Sequence, residues 1–271
     1  MLQPTKQQIQ EHLDTNHAVF RNWCAVCNAG LGLPTPHQRS GKTPEERAKE
    51  PDRLSSDYFF MSTDEDTTPH IACKVSRSAR LVATSLPCKG GSDFGVKWLA
   101  NLIRMVGFRR FQNWSDGERA LINHKTLAAN ACPGVEWYPG EPPKGDHQSN
   151  GEIECAVREV KRQMVKMRTQ LEQNLGFKLD ETNLVLAWIP SAAADAIAMH
   201  RIGQDGKTSW ERETGRKWKM ADYQFGERYM LRPARERQGA SKRDWEPRSI
   251  PARHMGYNMR SRSLIGITPD G

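Results

Sequence analysis

The apolar residues in the middle of the chain form short runs that predict strands. Three such runs follow one another: DYFFM (57–61), IACKVS (71–76) and ARLVATSL (79–86). A short polar turn separates the second run from the third, which predicts an antiparallel hairpin. Two further segments, FRRFQNW (108–114) and residues 135–138, predict a fourth and a fifth strand.

Apolar residues at three- and four-residue steps predict helices between and after these strands. The first helical stripe consists of Phe94, Trp98, Leu99, Leu102, Ile103 and Val106. Gly107 follows it, at the position where a glycine typically ends a helix. Residues 117–130 predict a second helix. After a loop rich in Gly and Pro (139–151), the longest stripe consists of Ile153, Val157, Val160, Met164, Met167 and Leu171. This order of elements predicts an α/β domain with a mixed sheet and flanking helices.

Composition and charge narrow the class of protein. Apolar residues make up 37% of the 271 residues, which is enough for a folded core. No run of about 18 apolar residues exists, so a transmembrane helix is excluded, and the N-terminus lacks the apolar core of a signal peptide. The net charge of +8 lies in residues 215–262, which hold 13 Lys or Arg against 5 Asp or Glu. This segment predicts a phosphate-binding surface, with a disordered basic tail as the alternative.

A cluster of His and Cys residues near the N-terminus predicts a structural zinc site. Its members are His12, His17, Cys24 and Cys27, and two thiolates two residues apart can bind one tetrahedral ion. Five helical residues rotate by about 500°, so both imidazoles cannot lie on one helix face; His37 is an alternative to His12. The bland alternative is a set of unrelated surface histidines and thiols. The remaining cysteines predict buried thiols or incidental positions: Cys73, Cys88, Cys132 and Cys155.

Three acidic residues stand where a sheet and a helix could bring them together. Asp57 lies in the first predicted strand, Asp116 follows the fourth, and Glu154 lies in the first turn of the long helix. Carboxylates are the hard oxygen ligands that Mg²⁺ prefers. Three of them can hold two ions that stabilise the attacking and leaving oxygens of a phosphodiester exchange.

Each acid has a competing interpretation. Asp64 or Asp66 could replace Asp57, and Asp116 could instead cap the helix that follows it, since SDGE is typical of an N-cap. Glu152 competes with Glu154, and only one of the two can face a site because they lie about 200° apart on a helix.

A basic stripe continues along the long helix from Glu154. Arg158, Lys161 and Arg162 follow it at helical spacing. Such a stripe suits contacts with a nucleic-acid backbone. The alternative is a solvated face with ion pairs such as Glu154–Arg158.

The combination of these motifs resembles the retroelement integrases, the DD-E polynucleotidyl transferases, and most of all those of copia-type retrotransposons. The resemblance covers nearly the whole chain, and its segments are HLDTNHAVFRNWCAVC, SSDYFFM, FQNWSDGERAL, HQSNGEIECAVREVKRQ, DGKTSWERETGRKW, FGERYMLRPA and GYNMRSRSLIGITPDG. It favours Glu154 over Glu152, because the family's motif glutamate lies three residues after the glycine, here Gly151. It also makes residues 183–202 a helix, which Pro190 should kink or end.

The resemblance implies five segments along the chain. They are an HHCC zinc-binding helical domain (1–37), a linker (38–53), an RNase H-like catalytic core (54–203), a connector (204–221) and a small basic β-rich, SH3-like DNA-binding domain (222–271). It therefore implies an RNase H-like mixed five-stranded sheet in the core.

The resemblance also implies roles for the candidate residues. Asp57, Asp116 and Glu154 would be catalytic and hold two Mg²⁺ or Mn²⁺ ions, while the His/Cys cluster would hold Zn²⁺. Arg158, Lys161 and Arg162 would bind DNA, and the loop 140–150 would close over the reacting phosphate. The enzyme would process 3′ ends and transfer strands of retroelement DNA into target DNA.

The same resemblance implies partners and a location. The partners would be double-stranded DNA and further copies of the chain, and the chain itself would be a piece of a polyprotein. It would act in the nucleus after a stage in a cytoplasmic particle, without a membrane. Two alternatives remain: an RNase H-like nuclease that cuts without joining, and a decayed or domesticated DNA-binding relic.

Overall fold

The computed structural model describes residues 4–9, 21–24, 51–62, 68–141, 151–221, 223–232 and 249–269. The chain divides into two compact units, residues 1–50 and 51–271. In the first unit, residues 6–9 are helical and Cys24 is buried. Within the described residues, no helix is long and apolar enough to cross a membrane.

The second unit is built on a five-stranded sheet. Its strands are β1 (Arg53–Phe59), β2 (His70–Val75), β3 (Arg80–Ser85), β4 (Arg110–Trp114) and β5 (Glu136–Gly140). They lie in the order β3-β2-β1-β4-β5. The first three strands are antiparallel, whereas β4 runs parallel to β1 and β5 runs parallel to β4. The predicted mixed five-stranded sheet is therefore confirmed.

Helices cover this sheet. They are α1 (Asp93–Val106), α2 (Arg119–Asn130), α3 (Gly151–Leu175), α4 (Ile189–His200) and α5 (Ser209–Thr214), and a 3₁₀ turn (Leu184–Trp188) precedes α4. Gly107 ends α1 in the left-handed conformation, with φ 71°, which glycine adopts without steric cost. The predicted flanking helices are confirmed.

Two prolines occupy places that the sequence did not predict. Pro139 lies inside β5, which continues to Gly140 where a loop was expected. β5 is an edge strand, and an edge tolerates a residue without a backbone N–H. Pro190 neither kinks nor ends a helix, because it stands in the first turn of α4, where its missing N–H costs no hydrogen bond.

A second, smaller sheet follows the helices. It consists of β6 (Arg228–Leu231), β7 (Ile250–Asn258) and β8 (Ser263–Ile267), all antiparallel in the order β6-β7-β8. Met255 of β7 shares one buried apolar cluster with Leu171 of α3 and Ala192 of α4. The small sheet thus packs on α3 and α4, two of the helices that cover the large sheet.

Candidate active site

The sheet brings Asp57 and Asp116 next to each other. The parallel pairing of β1 with β4 places Leu54 beside Asn113 and Ser55 beside Trp114. β4 ends at Trp114, two residues before Asp116, and the negative charge of Asp116 contributes to the raised pKa of Asp57. Both side chains are half-buried. Asp57 therefore lies in the C-terminal half of β1, and Asp116 follows the C-terminal end of the neighbouring parallel strand.

The first turn of α3 supplies Glu154 and Glu152, and they take different roles. Ile153 between them is buried with Phe59 of β1, which fixes the start of the helix against the sheet. Glu152 pairs with Lys74 at 3.0 Å and with Arg53 at 3.7 Å. Glu154 is exposed, and its charge acts on Asp57. Glu152 is therefore held in ion pairs with the sheet, whereas Glu154 is exposed and its charge contributes to the raised pKa of Asp57.

The environment of Asp57 opposes its ionisation. Burial raises the pKa of its carboxyl to about 6, and the negative charges of Asp116, Glu118 and Glu154 contribute, while a backbone hydrogen bond opposes the shift. Within the described residues, no three His, Cys, Asp or Glu side chains already form a group that could hold a metal ion.

Asp116 does not cap the helix that follows it. Helix α2 begins at Arg119, and its N-cap residue is Glu118, whose side chain makes no capping bond. Instead, Oδ1 of Asp116 accepts a hydrogen bond from the backbone N–H of Glu118 at 3.3 Å. The capping interpretation of SDGE is therefore wrong for Asp116, which lies two residues before the N-cap.

The sequence did not reveal two charged residues near these acids. The negative charge of Glu118 contributes to the raised pKa of Asp57, and its carboxylate pairs with Lys89 at 2.7 Å. In the sequence, Glu118 is only the last residue of the SDGE motif, which predicts a helix cap. Lys125 of α2 is buried and donates to the backbone oxygen of Asn113 at 2.8 Å and to Oγ of Ser115 at 2.7 Å. Burial lowers the pKa of Lys125 to about 8. The sequence does not indicate this role, because the two hydrogen bonds depend on how α2 packs against β4.

The predicted basic stripe follows α3. Arg158 and Arg162 are exposed, and Lys161 is half-buried. The Nζ of Lys161 lies 5.8 Å from the ring centre of Phe59. Burial, with a contribution from the Lys161 charge, lowers the pKa of His70 on β2 to about 4. The stripe therefore runs beside the strand that carries Asp57.

The other predicted residues are described only in part. Of the zinc cluster, Cys24 is buried, whereas His12, His17 and Cys27 lie outside the described residues, as does His37. Asp64, Asp66 and residues 142–150 of the loop also lie outside them. Cys73 and Cys132 are buried and Cys88 and Cys155 are exposed.

Comparisons with known proteins give one kind of match. No family model matches the chain, and no curated protein matches it. Among solved structures, it is similar to the catalytic core domain of BIV integrase, with 18% identity and a TM-score of 0.42 over 60% of this chain and 93% of that chain. It is also similar to the HTLV-2 integrase catalytic core domain in complex with magnesium, in a trimeric form, with 10% identity and a TM-score of 0.43 over 59% of this chain and 95% of that chain.

Proposed function

We propose that this chain is an integrase, a metal-dependent polynucleotidyl transferase that trims and joins ends of retroelement DNA. One observation carries the proposal. Asp57 lies on β1, Asp116 follows the parallel strand β4, and Glu154 lies in the first turn of α3, and the negative charges of Asp116 and Glu154 contribute to the raised pKa of Asp57. The RNase H-like core is supported by the strand order β3-β2-β1-β4-β5 with its mixed directions.

The donor set fits Mg²⁺ or Mn²⁺. All three groups are carboxylates, the oxygen ligands that these ions prefer. Burial, with a contribution from the negative charges of Asp116 and Glu154, raises the pKa of Asp57 to about 6, and a bound divalent cation would favour its ionised form. Two bound ions would activate the attacking hydroxyl and stabilise the leaving oxygen. Asp57 would hold them from β1, Asp116 from the segment after β4, and Glu154 from the first turn of α3.

The chain's own residues would position the DNA. Arg158, Lys161 and Arg162 extend from Glu154 along α3, where they would bind phosphates beside the reacting bond. Positioning of this kind supplies much of the rate in phosphoryl transfer. Lys125 would act indirectly: it holds Asn113 and Ser115, the residues that lead into Asp116.

The remaining parts of the proposal concern assembly. His12, His17, Cys24 and Cys27 would hold Zn²⁺, and the buried position of Cys24 suits a thiolate ligand shielded from solvent. The basic segment 215–262 would hold double-stranded DNA. Several copies of the chain would act together on the two DNA ends, in the nucleus.

A matched pair of variants on α3 tests the site. Glu154→Gln should abolish both Mg²⁺-dependent end trimming and strand joining, by a factor of at least about 10³, because it removes a ligand carboxylate from the reaction centre. Glu152→Gln makes the same chemical change two residues away and should keep both activities. A gel assay with labelled DNA ends measures cutting and joining separately.

The outcomes of this assay separate the alternatives. Cutting without joining by the wild-type chain identifies a nuclease, and no Mg²⁺-dependent reaction at all identifies a DNA-binding relic. Equal loss of activity in both variants, or activity retained by Glu154→Gln, contradicts the assigned site.

A further inference from the structure

Four arginines surround a cavity at the opposite end of the large sheet. The cavity has a volume of about 470 Å³, and it lies between the β2–β3 turn, the end of α1, helix α5 and the β7–β8 turn. Its charged lining residues are Arg77, Arg80, Arg212, Arg260 and Glu213. Trp210 of α5 adds an aromatic wall. We call it the arginine cavity.

Arg80 is the most constrained of the four. It is 2% exposed, and its Nη1 donates to both carboxylate oxygens of Glu213 at 2.9 Å. Its Nε is buried and has no hydrogen-bond partner. A buried charged donor without an acceptor costs free energy, because it has lost its hydrogen bonds to water. Arg80 thus lacks one acceptor beside a cavity that could receive one.

The other arginines keep the cavity positive. Arg77 pairs with Asp52 at 3.3 Å and Arg212 pairs with Asp205 at 2.6 Å, but neither aspartate lines the cavity. Arg260 is exposed. In the described part of the chain, Glu213 is the only acid among the lining residues, and it is already bound to Arg80. An anion entering the cavity meets more cationic than anionic groups.

We infer that the arginine cavity is a phosphate-binding site. Several guanidinium groups around one space match the oxygens of a phosphate, which accept parallel N–H bonds. The site is separate from the carboxylates: the pairings of β1, β2 and β3 place Arg80 level with Leu54. Arg80 is therefore about 10 Å from Asp57 along the strands and about 10 Å across them.

Two sources could supply the phosphate, the backbone of a nucleic acid or a free phosphate ester. The inference does not depend on the chemistry proposed for Asp57, Asp116 and Glu154. Binding should therefore be measured without any divalent metal, which keeps a failure of one proposal distinct from a failure of the other.

The experiment titrates the full chain with inorganic phosphate and, separately, with a short DNA duplex of scrambled sequence. Calorimetry is run in EDTA on the wild type, Arg260→Gln, Arg80→Lys and Arg110→Gln. Arg110 is the matched control, since its side chain is 72% exposed and lies outside the cavity lining. Circular dichroism checks that each variant folds. Arg260 is exposed, so its variant keeps the test valid even if Arg80→Lys does not fold.

We expect Arg260→Gln to weaken phosphate binding about tenfold, which corresponds to one charge-assisted hydrogen bond, and Arg110→Gln to leave it unchanged. If duplex binding also loses about one unit of salt dependence in Arg260→Gln, the phosphate comes from nucleic acid. If only phosphate binding changes, the ligand is a free phosphate ester. The inference is overturned if the wild type does not bind phosphate, or if Arg260→Gln and Arg110→Gln bind it equally well.

Discussion

Asp57 is the residue at which stability and the proposed activity conflict. Its carboxyl is half-buried beside three other acids, and its pKa is raised to about 6. In the unfolded chain the pKa is near 4. The native state therefore binds an extra proton between about pH 4 and pH 6, so the free energy of unfolding falls as the pH rises through that range. The ionised carboxyl of Asp57 therefore destabilises the metal-free protein at neutral pH.

Replacing this carboxyl should make the metal-free protein more stable. Asp57→Asn should raise the free energy of unfolding by about 1 kcal/mol at pH 7.5, after allowance for partial exposure to water, and should abolish DNA joining. The gain should shrink as the pH falls to 4. Urea denaturation in EDTA at several pH values measures it. A loss of stability at pH 7.5 would show that the Asp57 charge is not in conflict with its surroundings.

At this scale, the sequence offered the three acids as candidates but did not indicate their neighbours. Asp57, Asp116 and Glu154 became candidates because they lie in or after predicted strands and at the start of the long helix, and the family resemblance, not the period, favoured Glu154 over Glu152. The role of Glu118 depends on a local turn in which Asp116 accepts from its N–H. The bonds from Lys125 to Asn113 and Ser115 depend on how α2 packs on β4, and no pattern along the chain encodes that packing.

Among the elements, helix α4 contains a buried acidic residue, Asp195. Asp195 is 6% exposed, and burial raises the pKa of its carboxyl to about 7, although the positive charge of Arg80 opposes the shift. The helix packs against β3 and β7. Ionising Asp195 therefore costs more free energy in the folded protein than in the unfolded chain, where water surrounds the carboxylate.

A neutral replacement should change the pH dependence of stability. Between about pH 4 and pH 7 the native state keeps the Asp195 proton that the unfolded chain releases, so this group lowers stability by up to about 1.4 kcal/mol per pH unit as the pH rises. Asp195→Asn should remove that slope and be more stable than the wild type at pH 8. Thermal unfolding of both proteins from pH 4 to pH 8 gives the difference in stability at each pH. The histidines titrate in both proteins, so their contribution drops out of this difference. Parallel curves would contradict the expected burial cost.

Element bounds were predictable where the period was strong. The stripe of α3 is confirmed at Ile153, Val160, Met164 and Leu171, all buried. The bounds of β1 and β5 were not predicted. β1 begins at Arg53, before its aromatic residues, because the small Ser55 and Ser56 are buried in the sheet. The sequence predicts a loop at Pro139, because proline is usually excluded from strands. An edge strand tolerates proline, but which strand lies at the edge depends on the strand order, which the sequence does not show.

In the whole molecule, the excess of positive charge and the three candidate carboxylates lie in different parts of the chain. The excess of basic residues lies in 215–262, whereas the acids lie on β1, after β4 and on α3. The small sheet β6-β7-β8 shares a buried cluster with α3 and α4. This contact could not be predicted from the sequence, since apolar period does not reveal which element a face will meet.

The measurement that tests the central claim most directly is Mg²⁺-dependent strand transfer by the full chain. Wild type and Asp116→Asn are compared with labelled DNA ends and a supercoiled target, and near-equal unfolding curves establish that both are folded. We predict joined products from the wild type that require Mg²⁺, and a loss of at least about 10³-fold in Asp116→Asn, because one ligand at the reacting phosphate is gone. Undiminished joining by Asp116→Asn would contradict the assignment.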